Sequence, residues 1–167
     1  MRNSSKNMVL CSLFAALIAV CAWISIPVGD IFFTLQTLGI FLSLGLLGGK
    51  RGCAAIAIYL LLGAAGMPVF SGFRGGIGML AGVTGGYLWG FLASGLVYWA
   101  LERFGKLPAM IAAQLTCYLF GSFWFYLYTG GGLWLIIARC VLPFLLPDAV
   151  KIALACTLTR RLARHIT

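Results

Sequence analysis

Basic residues recur along this chain in four small groups: Arg2 with Lys6, Lys50 with Arg51, Arg103 with Lys106, and Arg160 and Arg161 with Arg164. The intervals between them are long, apolar and almost free of charge. A helix needs about 20 residues to cross a bilayer core, so each interval has room for one excursion out and back. Basic loops stay on the cytoplasmic side, so all four groups, and with them both termini, are expected inside, joined by an even number of spans. Arg74, Arg139 and Lys151 are the cations that break the pattern.

With 62% hydrophobic and 9% charged residues, the chain cannot be an ordinary soluble domain. Its net charge of +9 does not signal nucleic-acid binding, because the cations are dispersed along a hydrophobic chain rather than gathered on one soluble face. The expectation is a single all-α polytopic membrane domain over residues 1–167 with about six transmembrane helices. These are expected near 8–26, 34–48, 52–65, 83–101, 108–128 and 144–160. The apolar run from Met8 to Ile26 is too long for a signal-peptide core and is followed by no clean cleavage site, so it reads as a retained first helix.

The second and third of these helices are short for a bilayer core of about 30 Å. The outer loops, Pro27 to Phe33 and Gly66 to Gly82, are expected to fill the missing depth, and non-helical backbone is tolerated there only where it is buried or lines a cavity. A ligand pocket is therefore expected in the outer half. The second loop is rich in glycine and carries Phe70 and Phe73 as candidate apolar walls, the alternative being a re-entrant packing loop. Gly82, Gly86, Gly90 and Ser94 form a small-residue stripe suited to close helix packing, and Ala15 and Ala19 form a shorter one, either internal or a partner-docking face.

Asp148 and Lys151 sit in an otherwise apolar segment, Leu146-Pro147-Asp148-Ala149-Val150-Lys151. An ionisable side chain at the bilayer centre costs about 2.5–3.5 kcal/mol even on lenient scales, so such groups usually pair, face the protein interior and mark a substrate path. At i and i+3 they share a helix face, with Pro147 suited to the first turn. The pair reads as a binding site, the bland alternative being an ion pair that merely joins helices.

Catalysis is not expected. Gly48-Gly49-Lys50-Arg51 lacks the spacing and hydroxyl of a phosphate loop, and Gly76-Ile77-Gly78-Met79-Leu80-Ala81 has no preceding strand to make it a dinucleotide fingerprint. The single histidine, His165, lies in the basic tail, and Asp30, Glu102 and Asp148 are the only acids, so no catalytic residue, metal site or cofactor is expected. The six scattered cysteines read as small packing residues.

Several segments together resemble the BioY family, the biotin-specific S components of energy-coupling factor transporters. They are Phe33-Thr34-Leu35-Gln36-Thr37-Leu38-Gly39, the stretch from Tyr59 to Phe70, Thr84-Gly85-Gly86-Tyr87, and Pro143-Phe144 followed by Asp148 and Lys151. Val83 and Leu145-Leu146 depart from the family pattern, which has proline at the first and a glycine-proline turn near the second, and Arg74 adds a charge to the glycine-rich loop.

The resemblance implies a high-affinity biotin-binding subunit in a prokaryotic plasma membrane. It would work with a transmembrane coupling subunit, on which Ala15 and Ala19 would pack, and two ATPase subunits. Asp148 and Lys151 would then meet the ureido group of biotin, each by a charge-assisted contact. Gln36, Thr84 and Tyr87 would add hydrogen bonds or ring contact, Phe70 and Phe73 would wall the tail, and Arg74 or else Arg139 would hold the carboxylate. The reverse pose, with Lys151 on the carboxylate, stays open at this point. So do an S component for another vitamin, a helical scaffold, and a lipid-acting enzyme.

Overall fold

The computed structural model describes residues 2–28 and 31–166. Asp30 and the side chains of Arg2, Arg164 and His165 lie outside the described residues. The chain is helical nearly throughout. α1 (Arg2–Trp23) leads into a two-stranded antiparallel hairpin, β1 (Ser25–Val28) and β2 (Ile31–Thr34). α2 (Gln36–Leu47) and α3 (Gly49–Ala64) follow, then a segment containing the short α4 (Ile77–Ala81), then α5 (Gly85–Leu101) and a 3-10 turn at Glu102–Phe104. α6 (Lys106–Thr129), α7 (Leu133–Cys140) and α8 (Leu142–Ile166) complete the fold.

Three stretches among the described residues are long and apolar enough to cross a membrane: Ser5–Trp23, Lys106–Thr129 and Trp134–Leu162. α2, with 12 residues, rises about 18 Å and is shorter than the sequence suggested. The chain before it is extended rather than helical. Pro27 disfavours helix at Ile26, and Ser25 to Val28 pair instead with Ile31 to Thr34. Gly130, in the left-handed conformation, ends α6 as expected of a C-terminal glycine, but the apolar run behind it forms α7, a helix not anticipated from sequence.

Pro147 departs from its expected first-turn position. α8 begins at Leu142, so Pro143 takes the first turn and Pro147 lies inside the helix, where it withholds an N–H from the carbonyl of Pro143. Asp148 follows that interruption directly.

The core runs through α1, α2, α3, α5, α6 and α8. α5 and α6 form the most extensive helix pair, and glycine explains how close they come. A Cβ at Gly86 would strike Trp124 of α6, and one at Gly121 would strike Tyr87 of α5. Ala15 and Ala19 are also internal, 1% and 6% exposed, covered by the chain's own packing with α2 and α3. The outward face of α1 carries Met8, Val9, Leu13 and Val20 instead.

At the end bearing the basic turns, two charges cap helices. Glu102 accepts from the backbone N–H of Gly49 at 2.7 Å, at the start of α3, and the Lys106 ammonium donates to the Gly45 carbonyl at 2.9 Å, in the last turn of α2. Each opposes the partial charge of the helix end it meets.

Candidate functional site

At the opposite end, the β1–β2 hairpin and the 66–84 segment close over the helices. The Trp23 indole N–H donates to the Pro68 carbonyl at 2.8 Å, and its ring stacks on Phe73 at 5.1 Å between centroids. The tight loop from Phe70 to Arg74, closed by the Phe70 N–H on the Arg74 carbonyl at 2.9 Å, turns through Gly72 and Phe73, both in the left-handed region. That turn sends its two aromatic rings in opposite directions. Phe70 is 1% exposed and packs edge-on against Tyr59, while Phe73 is 65% exposed and lies on Trp23.

Beneath this cover is a cavity with a mainly apolar lining and a few polar groups, the composition of small-molecule sites. Of the residues singled out from sequence, Asp148, Lys151, Gln36, Thr84, Tyr87 and Phe70 all line it. Phe73 and Arg74 do not. Phe73 fastens the covering loop, and Arg74, itself exposed, sits 5.0 Å above the ring of Phe32, which does line the cavity. Arg139 is on α7, exposed, and is not a lining residue.

Asp148 and Lys151 are 4% and 5% exposed and form an ion pair of 2.7 Å. Neither depends on the other alone. Asp148 Oδ1 accepts from the Lys151 ammonium at 2.7 Å and from the Thr37 hydroxyl at 3.3 Å. Oδ2 accepts from the Gln114 amide at 2.8 Å and the Tyr118 hydroxyl at 2.7 Å. Lys151 also donates to the Thr34 carbonyl at 2.7 Å, and its ammonium lies 4.2 Å from the centroid of the Phe33 ring, which stacks on Phe144. This is the satisfaction a buried charge requires, supplied by the hairpin end, α2, α6 and α8 together.

The remaining polar groups are partly committed. The Gln36 amide donates to the Tyr59 hydroxyl at 2.8 Å, and the Tyr87 hydroxyl donates to the Cys140 carbonyl at 2.8 Å, tying α5 to the end of α7. Tyr87 therefore presents its ring rather than a free hydroxyl. Phe91, Leu88, Met79 and Phe144 supply apolar wall.

Sequence reading missed Gln114, Tyr118 and Thr37. A signal existed: Gln114 and Tyr118 are polar residues at i and i+4 inside an apolar span, a pattern that marks an inward face.

A family model described as the BioY family matches residues 1–167. The chain is 39% identical to the biotin transporter BioY of Thermotoga maritima over 95% of its own length and 96% of the relative's. It is 32% identical to the biotin transporter BioY of Rhodobacter capsulatus, over 96% and 94%. Its fold matches the crystal structure of the S-component for biotin from an ECF-type ABC transporter with a TM-score of 0.88, at 25% identity, over 98% of this chain and 94% of that one.

Proposed function

This chain belongs to the BioY family, and from that membership we propose that it is the biotin-binding membrane subunit of an uptake system energised by ATPases on separate subunits. The observation that carries the reading is the buried Asp148–Lys151 pair on the wall of a covered, mainly apolar cavity. Replacing a buried ion pair by apolar residues is often neutral or stabilising, so a pair kept at this position calls for a use.

Biotin has a ureido group with two N–H donors and a carbonyl, an apolar thiophane ring, and a chain ending in a carboxylate. In our reading the ureido group meets the charged end of the cavity. The acceptor positions of Asp148 are already filled, so binding exchanges an internal contact for a ligand contact. The Thr37 hydroxyl, the most distant donor, is the one to yield: a ureido N–H replaces it on Oδ1, and the freed hydroxyl turns to donate to the ureido carbonyl. Gln36 and Thr84 add polar contact, while Phe70 and Tyr87 flank the thiophane ring. The carboxylate points to the mouth and to Arg74.

The chain is a membrane protein, and we place it in a prokaryotic plasma membrane with the cavity facing outward, as the inside position of the basic turns supports. Its partners are a transmembrane coupling subunit and two ATPase subunits. Docking through Ala15 and Ala19 would require α1 to part from α2 and α3, so the outward face around Leu13 and Val20 is the more accessible contact. Titration calorimetry of the detergent-purified chain tests the function: saturable binding of biotin that thiamine and riboflavin do not displace is expected, and absence of biotin binding contradicts it.

A further inference from the structure

Gln114 is 5% exposed and lines the cavity from α6. Its Nε2 donates to Asp148 Oδ2, and that contact fixes the amide, because turning it over would set its oxygen against the carboxylate. Its Oε1 accepts a hydrogen bond from no described residue. Ser122 and Thr159 are the other described residues with a buried polar side-chain atom lacking a partner, and neither lines the cavity. A buried amide oxygen without a donor is destabilising, so it is an acceptor position held ready.

We infer that Gln114 is a specificity-determining residue whose Oε1 accepts one ureido N–H of the ligand while its Nε2 holds Asp148. The inference rests on the biotin reading and extends it. Asp148, with all its acceptor positions engaged, takes one ligand N–H by releasing Thr37, and Gln114 takes the second without releasing anything. The two ureido nitrogens are then read by different residues. A ligand with a carbonyl but no N–H at the second position leaves Oε1 buried and unpaired, which is how a polar site rejects an analogue of nearly the right shape.

The probes are biotin and its two mono-N-methylated ureido isomers, bound to the full chain in detergent. The wild-type protein should reject both isomers. Gln114→Met should weaken biotin about tenfold, abolish the penalty for methylating one nitrogen and keep it for the other. Equal weakening toward all three ligands, or none, would reduce Gln114 to a support for Asp148 and overturn the inference. Wild-type protein that fails to bind biotin removes the parent reading and this one together.

A measurement on the wild-type chain covers the case in which the variant does not fold. Gln36 and Gln114 are the only glutamines, so glutamine labelled with carbon-13 at Cδ gives two side-chain carbonyl signals. Biotin should move the Gln114 signal downfield, and the isomer methylated at the nitrogen it reads should not. A Gln114 signal indifferent to biotin contradicts the assignment.

Discussion

The Thr37 hydroxyl reaches Asp148 Oδ1 across 3.3 Å, the longest of the four hydrogen bonds that surround this carboxylate. The other three, at 2.7 to 2.8 Å, come from an ammonium, an amide and a phenol. The buried pair is thus held on three sides and loosely on the fourth, so a guest can engage it without unpairing the charges. Thr37→Val removes this contact and should cost about 1 kcal/mol of stability or less. It should also weaken biotin severalfold, because the hydroxyl that turns to the ureido carbonyl is gone. Calorimetry and thermal unfolding on one preparation read both effects.

Asp148→Asn leaves the Lys151 ammonium buried with the Thr34 carbonyl and the Phe33 ring but no counter-charge. Breaking one side of such a pair costs about 3–5 kcal/mol. The thermal midpoint should fall markedly, and biotin affinity should fall by about a hundredfold or more. Unchanged binding by this variant would remove Asp148 from the site.

The Trp23–Phe73 stack joins the covering loop to the end of α1. An aromatic pair contributes about 0.5–1.5 kcal/mol beyond the area it buries. Trp23→Ala should therefore speed biotin dissociation by about threefold to tenfold, with association little changed. A chase with unlabelled biotin measures it.

Arg74 is exposed, so its proposed pairing with a ligand carboxylate is screened by water and salt. Arg74→Ala should weaken biotin by about fivefold or less and leave biotin methyl ester unaffected. Competition between acid and ester, at low and high salt, separates this contact from a general effect on the loop.

Glu102→Gln offers a control remote from the cavity. The Gly49 N–H keeps an acceptor but loses the charge that opposes the α3 dipole, so the thermal midpoint should fall slightly while biotin affinity stays unchanged.

Much of the site was legible because charge in an apolar span is expensive. Asp148 and Lys151 stood out for that reason, and the quoted segments brought in Gln36, Thr84, Tyr87 and Phe70, all of which line the cavity. The rest was less legible, for separate reasons. From Leu13 onward α1 is apolar on all sides, so periodicity could not say whether Ala15 and Ala19 faced the core or a partner. Phe73 follows Gly72 in a left-handed turn, which points its ring away from the cavity that Phe70 enters. Pro147 suggested a helix start because proline is common there, yet α8 starts at Leu142, with Pro143 in that first-turn position instead. Gln114 and Tyr118 carry no charge, so their cost in an apolar helix is smaller and their signal weaker than that of Asp148.

The most direct test of a pair retained for its guest replaces both charges together. In the double variant Asp148→Leu, Lys151→Met no buried charge is left unpaired, so the protein should still fold, with a thermal midpoint lowered by the loss of the acceptor that the Gln114 amide and the Tyr118 hydroxyl share. Equilibrium binding of labelled biotin to that folded variant should be undetectable. Biotin bound with wild-type affinity would contradict the account, and would mean that the Asp148–Lys151 pair only joins helices.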